Sequence, residues 1–295
     1  MIDITEVGPR DGLQNEDRMM SIEQRIDIIT SLVKAGIKSM EVVSFVNSKI
    51  VPQMAGAEEV IRQLPRIDGV RYAGLVLSER GMKRALGCEL DELNVVLAAS
   101  STFNYKNSRR TREEALGELV PLIKEGKRSG FTVNAVIGTA FGCPFEGHIP
   151  FADISEIAKQ FLDSGADKLT LADTTGLANP AQIMSSVKEF KTTFPDVDLG
   201  LHFHNTRGLA LANAYAGYLA GVRRFDSSIG GIGGCPFAPL SVGNVSTEDM
   251  VHMFEQMGED VPVKTTDLFP TTDLVQKMLG HPVYSYVRKA GTAYA

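Results

Sequence analysis

Apolar residues recur along this 295-residue chain with two alternating periods. Short runs rich in Val, Ile and Leu cover 2–7, 38–43, 70–77, 92–99, 132–137, 168–172, 199–204 and 223–227, and they read as eight strands. Amphipathic helical patterns lie between them, among them 21–34, 112–129, 154–164 and 181–192. In the first of these, Ile22, Ile26, Ile29 and Val33 fall at i, i+4, i+7 and i+11, which predicts one helix face. Gly36, Gly130, Gly165, Pro180 and Pro195 punctuate the joints. Strand–helix alternation implies a parallel sheet, and eight such units at this length predict a closed (β/α)8 TIM barrel. A doubly wound open sheet is the alternative. It normally carries a glycine-rich phosphate loop after an early strand, and none is present. Past Gly258 the pattern predicts extra helix, a C-terminal extension over 259–295. No interdomain linker is seen, so residues 1–295 read as one catalytic domain.

Composition narrows the function classes. The chain is 43% hydrophobic and 22% charged, with a net charge of −6 and no long run of one sign. Nucleic-acid binding is not suggested. Cys88, Cys143 and Cys235 form a sparse, odd set without C-x-x-C spacing. That fits a reducing cytosol and gives neither a disulfide framework nor a structural zinc site. No window approaches a membrane span, and the first residues lack the basic start and apolar stretch of a signal peptide, so a cytoplasmic location is expected.

A barrel makes a testable claim: reactive residues should cluster at the C-terminal ends of strands. Arg10-Asp11 follows the first strand, Glu41 lies near the end of the second and is followed by Ser44, Asp173-Thr174 follow the sixth, and His202 and His204 end the seventh. After the eighth comes GGIGGCP, residues 230–236. A spacing of two on a strand puts both imidazoles on one face, where they can share a metal with Asp11. Asn244 could add an amide oxygen. Such N/O ligation suits Mg2+ or Mn2+, with Zn2+ or Co2+ also permitted. An isolated H-x-H is more often a pair of hydrogen-bonded histidines; Asp11 and the barrel context bring the metal reading level with that one. Arg10 could hold a developing oxyanion with Glu41 as its partner, or both could belong to ordinary ion pairs. Cys235 in its glycine loop could carry a proton or act as nucleophile, or simply fill a tight turn. Cys88 and Cys143, like His148, His252 and His281, read as structural.

These segments together resemble the 3-hydroxy-3-methylglutaryl-CoA lyase family. The match runs through EVGPRDGLQNE (6–16), EVVSFVNSKIVPQMAG (41–56), GCPFEG (142–147), LADTTG (171–176), HFHNTRGLALAN (202–213), GGIGGCPFA (230–238) and GNVSTEDMV (243–251), in family order. The resemblance implies a (β/α)8 barrel holding a divalent cation on Asp11, His202, His204 and Asn244. It implies that Arg10 steadies negative charge on the substrate, with Glu41 as its acidic partner. It makes Cys235 the cysteine of a mobile loop and Asp173 an active-site carboxylate, with Gln14, Ser44 and Thr174 lining the substrate mouth. The implied reaction is a retro-Claisen cleavage of an acyl-CoA, giving acetyl-CoA and acetoacetate from the methylglutaryl thioester. A homodimer is also implied.

Asn205 and Arg207 stand where the family usually has Asp and Tyr, and Asp17 replaces a lysine. These departures surround the metal and arginine positions, where substrate shape is read. They admit a relative acting on citramalyl-CoA or on a longer branched 3-hydroxyglutaryl-CoA. A condensing synthase of the isopropylmalate type shares the R-D-G and H-x-H motifs but lacks the GGCP loop. The basic segment 100–111 offers Lys106, Arg109 and Arg110 as contacts for CoA phosphates, although a solvated basic loop is the commoner explanation.

Overall fold

The computed structural model describes residues 1–234 and 243–292. Eight parallel strands close into a barrel in sequence order: β1 (Asp3–Glu6), β2 (Ser39–Ser44), β3 (Arg71–Leu75), β4 (Glu92–Ala98), β5 (Thr132–Gly138), β6 (Lys168–Asp173), β7 (Asp198–Phe203) and β8 (Arg224–Ser227). β8 returns to pair with β1, Asp3 opposite Arg224 and Glu6 opposite Ser227, which removes both sheet edges. All eight predicted strands are present, with ends displaced by a residue or two.

Local chemistry sets the helix starts. Ser21 accepts from the Gln24 amide while the Gln24 side chain accepts from the Ser21 amide, a reciprocal cap that opens the helix Ile22–Ala35. Thr111 and Glu114 do the same for the helix Arg112–Arg128. The buried face of the first helix differs from the predicted one. Arg25, Ile28, Ile29, Leu32 and Ala35 are buried, whereas Ile22, Ile26 and Val33 only flank the core. The inward stripe is centred on Ile28 and Leu32 because the helix packs against both the barrel and a later helix, Thr265–Leu279. Ser31 Oγ lies 2.6 Å from Thr271 Oγ1 at that second contact. Each fully buried Ile or Leu there contributes roughly 1.5–3 kcal/mol.

The predicted C-terminal helical segment is present as Thr265–Leu279 and Tyr286–Ala290, and it packs onto the barrel's outer layer. The Thr265 hydroxyl donates to Glu255 on the helix Thr247–Gln256 that follows β8. Segment 100–111, expected as a loop, instead holds the helix Ser101–Ser108, because Ser100 caps the Phe103 amide at 3.1 Å. Among the described residues no helix is long and apolar enough to cross a membrane.

Candidate active site

The strand ends deliver polar side chains to one mouth. After β1 the chain makes a single wide helical turn, Gly8–Gly12, in which the Val7 carbonyl accepts from the amides of Arg10, Asp11 and Gly12 at 3.1, 2.7 and 3.2 Å. Wide turns of this kind are rare and concentrate at functional sites. This one lays Arg10 and Asp11 across the barrel mouth. Glu6, on the last residue of β1, holds the turn in place. It accepts from the Gly8 amide at 2.7 Å, the Ile229 amide at 2.9 Å and the Thr247 hydroxyl at 2.6 Å. Glu6 thereby ties the Arg10–Asp11 turn to the root of the glycine loop.

Arg10 donates from Nε and Nη2 to Glu41 Oε2, and from Nη1 to Asp11 Oδ1 at 2.7 Å. The other Glu41 oxygen accepts from Asn94 at 2.8 Å. The β2–β3 register slips by one residue between Glu41 and Val43, a bulge that re-aims side chains beside the site. Burial lowers the Arg10 pKa, but Glu41 and Asp11 more than offset that and raise it, so the guanidinium stays charged. Burial likewise raises the Glu41 carboxyl, opposed by Arg10 and Asn94.

Asp11, His202 and His204 each offer one ligand atom, and these atoms lie within 4.8 Å of one another. The two imidazole centres are 5.2 Å apart, as expected for one strand face. Asn244 approaches from beyond β8, bridged to His204 by an isolated backbone pair. Its Nδ2 donates to Asp11 Oδ2 at 2.8 Å and to the Ile232 carbonyl at 3.2 Å, while its Oδ1 is buried with no partner. His204 Nδ1 is also buried and unpartnered, and its Nε2 sits 3.9 Å from Asp11 Oδ2, beyond hydrogen-bond reach. Buried polar atoms are almost always satisfied. The Asn244 orphan, beside a carboxylate and two imidazoles, fits a divalent cation with mixed N/O ligands. Gly233 is required here: it adopts φ +121°, and a Cβ would stand 2.7 Å from Asn244 Nδ2.

Electrostatics agree with that donor set. Burial opposes ionisation of Asp11, but Arg10, His204, His202 and the Asn244 amide together hold its carboxyl well below the usual range. Burial and the neighbouring His202 push His204 down to about 4, leaving a neutral imidazole with lone pairs to offer. His202 Nδ1 lies 3.2 Å from Asp226 Oδ2. Burial lowers the His202 pKa, but the Asp226 carboxylate outweighs it and raises the value.

The remaining predicted residues fall in distinct places. Ser44 Oγ and Gln14 Oε1 are buried without partners in the described structure. Thr174 Oγ1 accepts from the Thr139 amide at 2.9 Å, joining the ends of β5 and β6. Both Asp173 oxygens are engaged, by the Leu177 amide at 2.8 Å and the Ala178 amide at 3.1 Å, so this carboxylate shapes the loop after β6. Arg207 is drawn onto that loop, donating to the Thr175 and Gly176 carbonyls at 2.9 and 3.1 Å. Lys106 lies over the Phe145 ring at 4.8 Å and Arg110 pairs with Glu118 at 2.6 Å. Cys143 is buried, as expected, but Cys88 is only half-buried. Cys235 lies outside the described residues.

Sequence reasoning missed Glu6, Asn94 and Asp226. A signal was available for Asn94, a polar residue inside the otherwise apolar run of β4, where burial demands a partner; β1 (DITE) and β8 (RFDS) are too polar to single out Glu6 or Asp226.

The HMGL-like family model matches residues 1–275. An (R)-citramalyl-CoA lyase from Chloroflexus aurantiacus is 40% identical, with 99% of this chain and 96% of that protein covered. A hydroxymethylglutaryl-CoA lyase from Bacillus subtilis is 38% identical, covering 96% and 95%. Among solved structures, a 3-hydroxy-3-methylglutaryl-CoA lyase from Acinetobacter baumannii, in complex with coenzyme A and 3-methylmalate, superposes with a TM-score of 0.95 at 38% identity, covering 100% of this chain and 96% of that one. With the family model spanning nearly the whole barrel and relatives matched end to end, this chain belongs to the HMGL-like family of hydroxymethylglutaryl-CoA lyases and is a carbon–carbon lyase.

Proposed function

We propose that this enzyme is a metal-dependent retro-Claisen lyase that cleaves 3-hydroxy-3-methylglutaryl-CoA to acetyl-CoA and acetoacetate. The observation that carries this reading is the unpartnered Asn244 oxygen grouped with Asp11, His202 and His204, beside an arginine already fixed by two carboxylates. These four residues are assigned to a divalent cation, Mg2+ or Mn2+ by their oxygen content. Bound there, such a cation supplies Lewis acidity toward a substrate hydroxyl and carboxylate.

The chain's own residues divide the remaining work. His202 has Nδ1 committed to Asp226, so it offers the single nitrogen Nε2 and serves as a ligand. Asp173 has both oxygens committed to backbone amides and is assigned to positioning the loop after β6. Asp11, bound once at each oxygen by Arg10 and Asn244, is assigned first to the cation, and acceptance of the C3 hydroxyl proton is assigned to Asp11 or His202. As the C2–C3 bond breaks, negative charge builds on the thioester oxygen of the departing enolate, and Arg10 is assigned to it. Glu41 holds Arg10 in place, and Cys235 is assigned to returning a proton to the enolate carbon. Gln14, Ser44 and Thr174 are assigned to substrate contact, with Lys106 and Arg109 toward the CoA phosphates. The free thiols Cys88 and Cys143 accord with a reducing, cytoplasmic setting.

A second reading has a specific basis. The citramalyl-CoA lyase relative at 40% identity, together with Asn205 and Arg207 at the rim, supports citramalyl-CoA, whose cleavage gives acetyl-CoA and pyruvate. Assaying both thioesters, and longer branched 3-hydroxyglutaryl-CoAs, with and without divalent metal decides between them. Acetoacetate formation that depends on metal is the expected result. Pyruvate from citramalyl-CoA as the preferred reaction would select the second reading. Condensation of acetyl-CoA with 2-oxo acids and no cleavage would overturn both.

A further inference from the structure

The barrel interior contains a continuous chain of buried polar side chains that runs from the N-terminal rim to the mouth. Arg224 opens β8 at the rim, where Asp198 opens β7. Its guanidinium is held by Asp198 Oδ1 at 3.2 Å, the Asp198 carbonyl at 3.0 Å and the Leu169 carbonyl at 2.8 Å. Arg224 Nη1 then donates to Thr170 Oγ1 on β6 at 3.0 Å. The Thr170 hydroxyl donates to Asn134 Oδ1 on β5 at 3.1 Å. Asn134 Nδ2 donates to Asn94 Oδ1 on β4 at 3.2 Å, and Asn94 Nδ2 donates to Glu41 Oε1 on β2 at 2.8 Å. The other Glu41 oxygen receives Arg10.

The direction of this chain is forced at both ends. An arginine can only donate, so Thr170 must accept from Arg224 and pass its own proton to Asn134. An ionised Glu41 can only accept, so Asn94 must turn its amide nitrogen toward it. Both asparagine orientations follow, and every donor points toward Glu41. A one-way chain between a cation and an anion is polarised along its length, and each bond strengthens the next. Packing independently supports the arrangement. Arg224 on β8 reaches Thr170 on β6 by passing over Gly200 of β7, which pairs with both residues. A Cβ at Gly200 would stand 2.5 Å from Arg224 Nη1. The intervening strand therefore lacks a side chain at the point where the guanidinium crosses it.

We propose that Arg224, Thr170, Asn134 and Asn94 are positioning residues that fix the Glu41 carboxylate, and through it the Arg10 guanidinium, from the opposite end of the barrel. The inference rests on the reading of Arg10 as the group that meets developing charge. Misplacing such a group by about 1 Å costs on the order of a hundred-fold in rate.

The test compares Thr170→Val with Thr170→Ser in the full chain with saturating Mg2+. Valine keeps the shape and removes the hydroxyl; serine keeps the hydroxyl and removes a buried methyl. The relay predicts that Thr170→Val lowers kcat roughly ten-fold or more, with KM and metal affinity unchanged, and that Thr170→Ser stays near wild type. A purely structural role predicts that Thr170→Val lowers the thermal midpoint while kcat per folded enzyme stays near wild type. Gly200→Ala, which displaces the flexible end of Arg224 from a third strand, should reproduce the kcat loss. The Arg10 Nε–H resonance reads the same coupling without turnover: it should shift in Thr170→Val and Gly200→Ala and stay in place in Thr170→Ser. An unmoved resonance in Thr170→Val, or Val and Ser variants equally impaired, would overturn the relay. A resonance that shifts in Thr170→Val and Gly200→Ala, when the wild-type protein cleaves none of the thioesters, would overturn the assigned reaction and leave the relay standing.

Discussion

Replacing Arg10 with glutamine separates catalysis from stability in a way the structure makes quantitative. The guanidinium spends Nε and Nη2 on Glu41 and Nη1 on Asp11. Glu41 is 1% exposed, so loss of Arg10 leaves a buried carboxylate whose remaining side-chain donor is Asn94. Breaking a buried pair from one side costs about 3–5 kcal/mol, and the retained Asn94 bond argues for the lower end. At about 3 kcal/mol the thermal midpoint should fall by roughly 6 °C. Turnover should fall independently, by on the order of 10^2–10^3, because a donor aimed at developing charge is gone. KM should change little, since the lost interaction strengthens in the transition state. Adding Glu41→Gln removes the stranded charge. The double variant should therefore regain most of the midpoint while remaining inactive. Thermal scans and steady-state kinetics on wild type, both single variants and the double variant complete the cycle. Turnover within ten-fold of wild type in Arg10→Gln would refute the catalytic role. A double variant no more stable than Arg10→Gln would refute the stranded-carboxylate account.

Other substitutions probe the remaining parts of the site. His204→Ala should weaken Mn2+ binding in calorimetric titration, and unchanged affinity and stoichiometry would remove it from the ligand set. Asp226→Asn should lower metal affinity roughly 10- to 100-fold by releasing the orientation of His202, so an unaltered titration would count against that role. Burial pushes the Glu6 pKa up from 4.5 to about 7, so folding favours the protonated acid. Its stabilising contribution is full below pH 4.5 and is lost as pH rises toward 7, a change of about 3 kcal/mol. Glu6→Gln should flatten that slope, and identical denaturant midpoint shifts between pH 5 and 8 in the two proteins would contradict it. Cys235→Ala should lose most turnover with an unchanged circular dichroism spectrum; retained turnover would exclude the cysteine from proton transfer.

Much of the architecture could be read from periodicity. Eight apolar runs separated by amphipathic segments have few solutions other than a closed parallel barrel, because each strand must bury both faces and each helix one. The candidate site residues were largely legible too, since barrel geometry places strand-end residues at one mouth: Arg10 and Asp11 follow β1 and His202 and His204 flank the end of β7, whereas Glu41 lies inside β2 beside its bulge. The limits of that reading are equally physical. The helix Ile22–Ala35 buries Ile29 of the expected stripe but centres its inward face on Ile28 and Leu32, with Ile22, Ile26 and Val33 at the edge, because it contacts two layers and only packing reveals the second. Asp173 looked like a free strand-end carboxylate until the loop after β6 folded back and supplied two amides to it.

Periodicity and strand-end position therefore determined the barrel, its mouth and the identities of the groups that face it, because these depend on spacing along one chain. Tertiary structure decided which of those groups touch. Asn94, Asn134, Thr170 and Arg224 lie on four strands and are separated by tens of residues, so nothing local links them. Closure of the barrel, with glycine at position 200, is what brings them into one directed chain ending at Glu41. Hydrogen bonds across the interior depend on register and side-chain direction in three dimensions, and these exist only once the sheet has closed.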